Sequence, residues 1–111
     1  MLMPMSKTTN SLNDSSVRRS AEIAKALGHP ARIAILKILA ERENCFCGDI
    51  TEILPLAQPT VSQHLKALKS AGLISGEVEG VRTCYCLNPD GIKELQKLLS
   101  ELSTELIKTC C

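Results

Sequence analysis

The stretch QPTVSQHLKALKSAGL, residues 58–73, decides the fold. Val61, Leu65 and Leu68 recur at intervals of four and three residues, the spacing that places apolar side chains on one face of a helix. Gly72 follows as the expected helix stop. The pattern therefore predicts an amphipathic helix with one packed face. The other faces carry side chains that can form hydrogen bonds: Thr60, Ser62, Gln63, Lys66 and Lys69.

Two further helices are predicted upstream of this stretch. The first begins at Val17, carries Ile23 and Leu27 four residues apart, and ends at Gly28. Pro30 suits the first turn of the second helix. Residues 31–39 of that helix are apolar on most sides, so we expect it to lie in the centre of the domain.

A short helix and a hairpin complete the central part of the chain. Asp49 can cap a short helix that Pro55 then ends, and a tight turn leads to residues 58–73. Two strands, residues 73–79 and 81–87, are predicted around the turn at Glu79 and Gly80. The order helix, turn, helix, hairpin predicts a mainly α winged helix-turn-helix fold with a small β-hairpin.

Beyond Pro89, an apolar stripe marks a last helix that runs almost to the C-terminus. Its members are Ile92, Leu95, Leu98, Leu99, Leu102 and Leu106. The stripe either packs on the first two helices or forms a dimer interface. We favour the dimer interface, because nothing else in the predicted core requires so long a stripe.

Length and composition bound the architecture. The 111 residues suffice for one core, which we place at residues 17–111, after a disordered arm at residues 1–16. The chain has no apolar run long enough to span a membrane and no signal peptide, so we expect a cytoplasmic protein without a membrane partner. The formal net charge of +1 argues against binding nucleic acid through overall charge.

Local charge nevertheless favours DNA contact by the helix of residues 58–73. Between Ile53 and Gly76 there is no Asp or Glu, so the helix offers hydrogen-bonding and basic side chains without repelling phosphate. His64 is either a buried hydrogen-bonding residue or a DNA contact, and Arg82 lies where a wing approaches the phosphate backbone. The predicted DNA-binding residues are Gln58, Thr60, Ser62, Gln63, His64, Lys66, Lys69 and Arg82.

Three segments together resemble the ArsR/SmtB family of metalloregulatory repressors: ALGHPARIAILKIL, QPTVSQHLKALKSAGLI and the wing ending at Tyr85 and Leu87. The resemblance covers about residues 18 to 107. It implies a homodimer, built through the first and last helices, that binds double-stranded operator DNA and releases it when an inducer binds. No cofactor is obligatory for such a function.

The six cysteines form three close pairs, which in a chain without an export signal favours metal or redox chemistry. Arsenic- and cadmium-sensing relatives carry C-x-C directly before an aspartate, and the segment CFCGD, residues 45–49, is similar, although Gly48 separates Cys47 from Asp49. The resemblance implies a metal site at Cys45 and Cys47. As(III) prefers three thiolates, so another must come from elsewhere. Some family members use a vicinal cysteine pair near a terminus with a cysteine of the partner subunit, so the resemblance implies that Cys110 and Cys111 contribute.

Soft sulfur ligands favour thiophilic ions over magnesium or calcium, which leaves arsenic, antimony, cadmium, lead, zinc and copper(I). The resemblance implies As(III) as the leading inducer, with Sb(III), Cd(II), Pb(II) or Zn(II) as the other candidates. Residues 90–107 contain no histidine, which argues against the last-helix zinc site of some relatives. Cys84 and Cys86 point to one face of the wing strand, opposite Tyr85, either as small buried residues or as ion ligands.

Three other functions are compatible with parts of the pattern. A thiol redox or persulfide sensor of the same fold would use paired cysteines without a metal. A metal-trafficking protein would use the cysteines but would not need an acid-free helix or a wing. An enzyme with a reactive cysteine is disfavoured, because no histidine and acidic partner is evidently arranged for it.

Overall fold

A computed structural model describes residues 11–77 and 83–108 of the chain. The described residues form four α-helices: α1 Ser15–Leu27, α2 Pro30–Glu41, α3 Gln58–Ser70 and α4 Pro89–Lys108. They also form three strands, β1 Cys45–Gly48, β2 Ile74–Glu77 and β3 Thr83–Leu87, and two short 3₁₀ turns, Ser11–Asn13 and Ile50–Glu52. The predicted fold class, a mainly helical winged helix-turn-helix, is confirmed.

Helix α1 begins two residues earlier than the Val17 start predicted from the apolar pattern. Its N-cap is Asp14, whose carboxylate accepts a hydrogen bond of 2.8 Å from the backbone N–H of Ser16. Such a cap satisfies a backbone donor that the first helical turn leaves unpaired. The helix therefore starts inside the segment expected to be a disordered arm, of which residues 1–10 lie outside the described part.

Asp49 caps the next element, as predicted, by accepting a 2.9 Å hydrogen bond from the backbone N–H of Thr51. The element is only the 3₁₀ turn Ile50–Glu52, however, not the predicted short helix ending at Pro55. Pro55 disfavours the helical conformation in the residue before it and offers no N–H of its own. Little more than one turn fits between the cap and the proline.

The sheet is larger than the predicted hairpin, because strand β1 adds a third strand. The strand order is β1-β3-β2, with both pairs antiparallel. The predicted hairpin strands are present as β2 and β3, and the predicted turn at Glu79 and Gly80 lies outside the described residues. Four residues with one aromatic side chain give too short a pattern to identify β1 from the sequence.

The core lies between α2, α3 and the inner face of the sheet. Ile35 and Leu39 of α2 are fully buried, which confirms that this helix is central. Leu65 and Leu68 of α3 and Tyr85 of β3 are buried against it in the same cluster. Each fully buried side chain of this size stabilises the fold by about 1.5–3 kcal/mol relative to exposure. This packing holds α3 and orients its opposite face outward.

Arg19 of α1 connects α4 to the end of α3. Its guanidinium donates to both carboxylate oxygens of Glu94, at 3.0 and 2.9 Å, and to the carbonyl oxygen of Ala71 at 2.6 Å. This interaction lowers the pKa of Glu94, chiefly through the hydrogen bonds from Arg19. The first turn of α4 also packs directly on Gly72, since Gly91 is buried there. The last helix is thus anchored at the point where α3 ends.

Helix α4 continues beyond this anchor and leaves much of its apolar stripe exposed. Leu99, Leu102 and Leu106 are 52%, 47% and 59% exposed, whereas Ile92 and Leu95 pack against the core. In the part of the chain that the structure describes, no helix is long and apolar enough to cross a membrane.

Candidate nucleic-acid interface and cysteine cluster

Helix α3 presents a polar face to solvent because its apolar face is fully used in the core. Val61, Leu65 and Leu68 are buried, whereas Thr60, Gln63 and Lys66 are exposed. Gln63 and Lys66 are three residues apart and therefore lie on the same outward side of the helix. Of the other predicted contacts, Ser62 and Gln58 are half-buried and Lys69 is exposed.

The electrostatic character of this face is basic. Glu52 and Glu77, the nearest acidic residues in the sequence, lie beyond the two ends of the acid-free segment. Lys69 is held at the wing, because its ammonium donates a 2.7 Å hydrogen bond to the carbonyl oxygen of Gly76 in β2. The same contact joins the end of α3 to the sheet. The arrangement can insert a helix into a groove while the wing lies beside it.

His64 does not belong to this face: of its two predicted alternatives, the structure shows the buried hydrogen-bonding residue, and its inclusion among the DNA contacts is corrected. The residue is 7% exposed and its Nδ1 accepts a 3.1 Å hydrogen bond from Nε of Arg32. Its ring lies 4.3 Å from the ring of His29. Burial, followed by the charges of His29 and Arg32, lowers its pKa. Its position, three residues after Val61 and four before Leu68, is at the edge of the apolar face, and the contacts with Arg32 and His29 bury it there.

Three predicted site residues lie outside the described part of the chain. They are Arg82 in the wing and the C-terminal pair Cys110 and Cys111. Their roles in DNA and metal binding stay predictions.

The remaining four cysteines are brought together on the sheet. Strand β1 pairs with β3 so that Cys45 lies opposite Cys86 and Cys47 opposite Cys84. In the structure each of these pairs is a disulfide, with Cα atoms 4.0 Å apart. We refer to the four residues as the sheet cysteine cluster. The prediction from the sequence had divided these four residues. It placed Cys45 and Cys47 in a metal site with the C-terminal pair, and it left the role of Cys84 and Cys86 open.

The cluster lies on the outer face of the sheet. Phe46 and Tyr85 are register partners that point to the opposite face, and Tyr85 is fully buried. Cys84 and Cys86 therefore share the face opposite the tyrosine, as predicted, but Cys84 is exposed and Cys86 half-buried. With the sulfurs paired in this way, the described residues hold no group of three His, Cys, Asp or Glu side chains arranged for a metal ion.

A sequence signal for the cluster does exist. C-x-C occurs twice, at residues 45–47 and 84–86, and each repeat has the two-residue period of a strand. Two strands of that period, paired antiparallel in this register, necessarily place all four cysteines on one face. The signal was missed because residues 45–48 were not recognised as a strand.

Comparisons with known proteins support the architecture. A model of the arsR family of bacterial regulatory proteins matches residues 29–75. An uncharacterised HTH-type transcriptional regulator, MJ1325 of Methanocaldococcus jannaschii, is 46% identical over 76% of this chain and 94% of its own length. The arsenical resistance operon repressor of Bacillus subtilis is 36% identical over 86% of this chain and 82% of its own length.

Among solved structures, an ArsR-like transcriptional regulator from Rhodococcus sp. RHA1 superposes with a TM-score of 0.63. The match covers 82% of this chain and 85% of that one at 20% identity, so it supports the fold alone. The HTH-type transcriptional repressor SmtB of Mycobacterium tuberculosis is 43% identical over 61% of this chain and 50% of its own length.

Proposed function

The chain belongs to the arsR family of bacterial regulatory proteins, and from this premise we propose that it is a DNA-binding transcriptional repressor. In our proposal it releases its operator when cysteine thiolates bind trivalent arsenic or a related thiophilic ion. The observation that carries DNA binding is the exposed face of α3, which combines Thr60, Gln63 and Lys66 in a segment free of Asp and Glu. A catalytic role is not needed to explain any part of this arrangement.

Each polar residue on the face has a role in this proposal. Gln63 would read a base edge, because an amide can form two hydrogen bonds to adenine in the major groove. Lys66 would contact phosphate, which contributes affinity without sequence preference. Thr60, Ser62 and Gln58 lie towards the beginning of the helix, where a recognition helix approaches the bases. Lys69 would contact phosphate beside the wing.

We propose that the protein binds DNA as a homodimer through α1 and α4. The exposed stripe of Leu99, Leu102 and Leu106 supports this, as does Val17 of α1, which is 42% exposed. A two-fold dimer would present two α3 helices to successive major grooves, about 34 Å apart. Exposed apolar side chains that recur along one helix face commonly mark a protein interface.

The signal would act by changing the population of DNA-binding dimers. The ion-bound dimer would hold its two α3 helices at a spacing that fits the operator badly. The usual scale of such coupling is about 1–3 kcal/mol, which corresponds to roughly 5- to 150-fold in affinity. The relative named as an arsenical resistance operon repressor supports As(III) as the leading inducer. Sb(III), Cd(II), Pb(II) and Zn(II) share the thiophilic chemistry.

The test begins with an operator selected from random duplex DNA by the reduced protein. Fluorescence anisotropy then follows binding during separate additions of arsenite, cadmium, zinc and a mild oxidant. We expect release by arsenite. Release by the oxidant alone would replace ion binding with thiol oxidation as the signal, and the absence of any selected sequence would refute the repressor.

Two variants sharpen this experiment. Cys47→Ser should leave DNA binding intact but blunt the release by arsenite, because it removes one of the proposed ligands. Normal release by this variant would contradict the assignment of Cys47. Ser62→Ala is the converse variant: it removes a proposed DNA contact and keeps every thiol, so it should weaken DNA binding but leave the response to arsenite unchanged.

A further inference from the structure

The sheet cysteine cluster has properties of a ligand site that neither the paired β1 cysteines nor the wing cysteines have alone. Each cross-strand pair has its Cα atoms 4.0 Å apart. Successive cysteines on one strand are two residues apart, about 6.6 Å along a strand. All four sulfurs thus lie within one small patch of the outer face, and Cys45, Cys47 and Cys84 are exposed.

We infer that the reduced cluster is the inducer site, in which Cys84 or Cys86 of β3 completes the set of thiolates begun by Cys45 and Cys47. This inference rests on the proposed function, since it assigns the ligands of the same inducer. It replaces the C-terminal pair with wing cysteines of the same chain. The ligand class is a thiophilic ion that takes three or four sulfurs, and arsenite is the probe.

The donor set fits such an ion once the disulfides are reduced. A dithiol reductant supplies two electrons and two protons to each disulfide, becomes a disulfide itself, and leaves two cysteine thiols. Three of the thiols can then displace the three hydroxyl groups of arsenous acid. Three As–S bonds form, three As–O bonds break, and three water molecules leave. With Cd(II), four thiols bind and four protons are released.

The geometry of the strands permits convergence of the sulfurs. Cross-strand partners are already close enough to bond to each other. Cysteines two residues apart on one strand can bring their sulfurs closer by adopting different χ1 rotamers, since both 180° and −60° are common in strands. Bonds from sulfur to an ion of this kind are about 2.3 Å long, as for zinc, so ligated sulfurs can stand up to about 4.6 Å apart.

Gly48 marks the end of strand β1, in which the C-x-C segment pairs with β3. Its φ of +140° lies in a region that side chains rarely adopt, directly between Cys47 and the cap Asp49. Strand β1 is extended through both cysteines and ends at Gly48. As a result both cysteines of β1 face the cysteines of β3, because side chains alternate along a strand.

The cluster is placed where an ion would act on both DNA-binding elements. On the β1 side, Cys47 is two residues from Asp49, which caps the first turn of the helix-turn-helix. On the β3 side, the strand pairs with β2, whose Gly76 accepts the hydrogen bond from Lys69 of α3. An ion bound by cysteines of both strands would therefore act on the first turn of the helix-turn-helix through β1 and on the wing through β3.

Protection from alkylation tests the site in the unmodified chain. Cleavage after Lys and Arg places the three cysteine pairs in separate peptides, 43–66, 83–93 and 109–111. The protein is reduced, and the reductant is then removed under anaerobic conditions. The cysteines are alkylated in the presence and in the absence of arsenite. At arsenite about ten times its Kd, labelling of peptides 43–66 and 83–93 should slow about tenfold, with no change in 109–111. Unchanged labelling of 83–93, or protection of 109–111, would overturn the inference.

Matched variants supply the second readout. Native mass spectrometry counts the arsenic bound per chain. In Cys84→Ser/Cys86→Ser this number should fall, because the affinity for arsenite should drop by at least about 100-fold. Cys110→Ser/Cys111→Ser should bind as the unmodified chain does. In that second background, oxidation to the two disulfides should abolish binding. Equal binding by the oxidised and reduced forms would also overturn the inference.

Operator anisotropy on the same samples separates this inference from the proposed function. If arsenite protects both strand peptides but does not release DNA, the cluster binds arsenite, and the proposal that arsenite is the inducer is contradicted. If arsenite releases DNA equally from Cys84→Ser/Cys86→Ser, the proposed arsenite-responsive repressor is supported, and the assignment of Cys84 and Cys86 as ligands is contradicted.

Discussion

Replacing Gly91 with alanine tests the anchor between α4 and the end of α3. Gly91 lies in the first turn of α4, where alanine would ordinarily stabilise a helix by up to about 1 kcal/mol. A Cβ at this position would overlap the carbonyl oxygen of Gly72 and lie 2.8 Å from its carbonyl carbon. Both partners are backbone atoms, so neither can move aside as a flexible side chain would.

The expected net effect is destabilising. Overpacking costs about 1–3 kcal/mol, and backbone overlap places Gly91→Ala at the upper end. The Gly72 carbonyl also accepts a 2.9 Å hydrogen bond from the amide of Asn88, which the new methyl group would disturb. After subtraction of the helix-propensity gain, we expect a loss of about 2 kcal/mol in the free energy of unfolding. For a domain of this size that lowers Tm by roughly 8–10 °C.

Urea unfolding followed by circular dichroism measures this loss as a lower midpoint at unchanged m-value. Ser100→Ala is the matched control, because Ser100 is exposed on the same helix. There alanine should be neutral or stabilising by up to about 0.5 kcal/mol. If Gly91→Ala is as stable as the unmodified chain, the close contact between α4 and Gly72 does not exist as described.

Four other outcomes are expected. Gln63→Ala should cost about 1–3 kcal/mol of discrimination between the selected operator and a sequence changed at the contacted base, measured by competition; uniform weakening on all sequences would contradict base reading. Lys66→Ala should lower the salt slope of DNA binding by about 1 for each phosphate that the lysine neutralises, whereas Lys97→Ala on α4 should leave it unchanged. Burial lowers the pKa of His64 below its ordinary 6.5, so as pH falls the unfolded chain takes up this proton first. The contribution of His64 to stability is then fully present above about pH 7 and is lost as pH falls through 6.5 and below. In His64→Gln the urea midpoint should therefore decrease less as pH falls, and equal pH dependence of the midpoints of the two proteins would contradict this role of His64. Leu102→Glu should convert the proposed dimer to monomer in sedimentation velocity, and a dimer of unchanged stability would place the interface elsewhere.

Periodicity alone identified the helices because their apolar positions are numerous and regular. Helix α3 was predicted from Val61, Leu65 and Leu68, and the residues confirmed as buried are those three together with His64. The start of α1 was misplaced by two residues because Asp14 caps it, and one polar residue among many in that segment gives no periodic signal. Strand β1 was missed since four residues carry too little pattern.

The exposure of side chains on α3 was predicted correctly where helix geometry decides it, while their contact with DNA stays a prediction. Thr60, Gln63 and Lys66 are exposed on α3 as the helical period requires. For His64 the same period was compatible with either a buried or an exposed position, because the residue lies at the edge of the apolar face. Its contacts with Arg32 and His29 are made across 32 and 35 positions of sequence, and only the packing of α2 on α3 reveals them.

The sequence by itself determined the order of the elements, the class of fold and the acid-free character of α3, because these follow from local spacing and composition. Only the tertiary structure decided which cysteines meet. Cys45 and Cys86 are separated by 41 positions, and Cys47 and Cys84 by 37. Strand register brings them together, and register depends on which residues of both strands face the core. Burial of Tyr85 on the inner face leaves the four cysteines on the outer face.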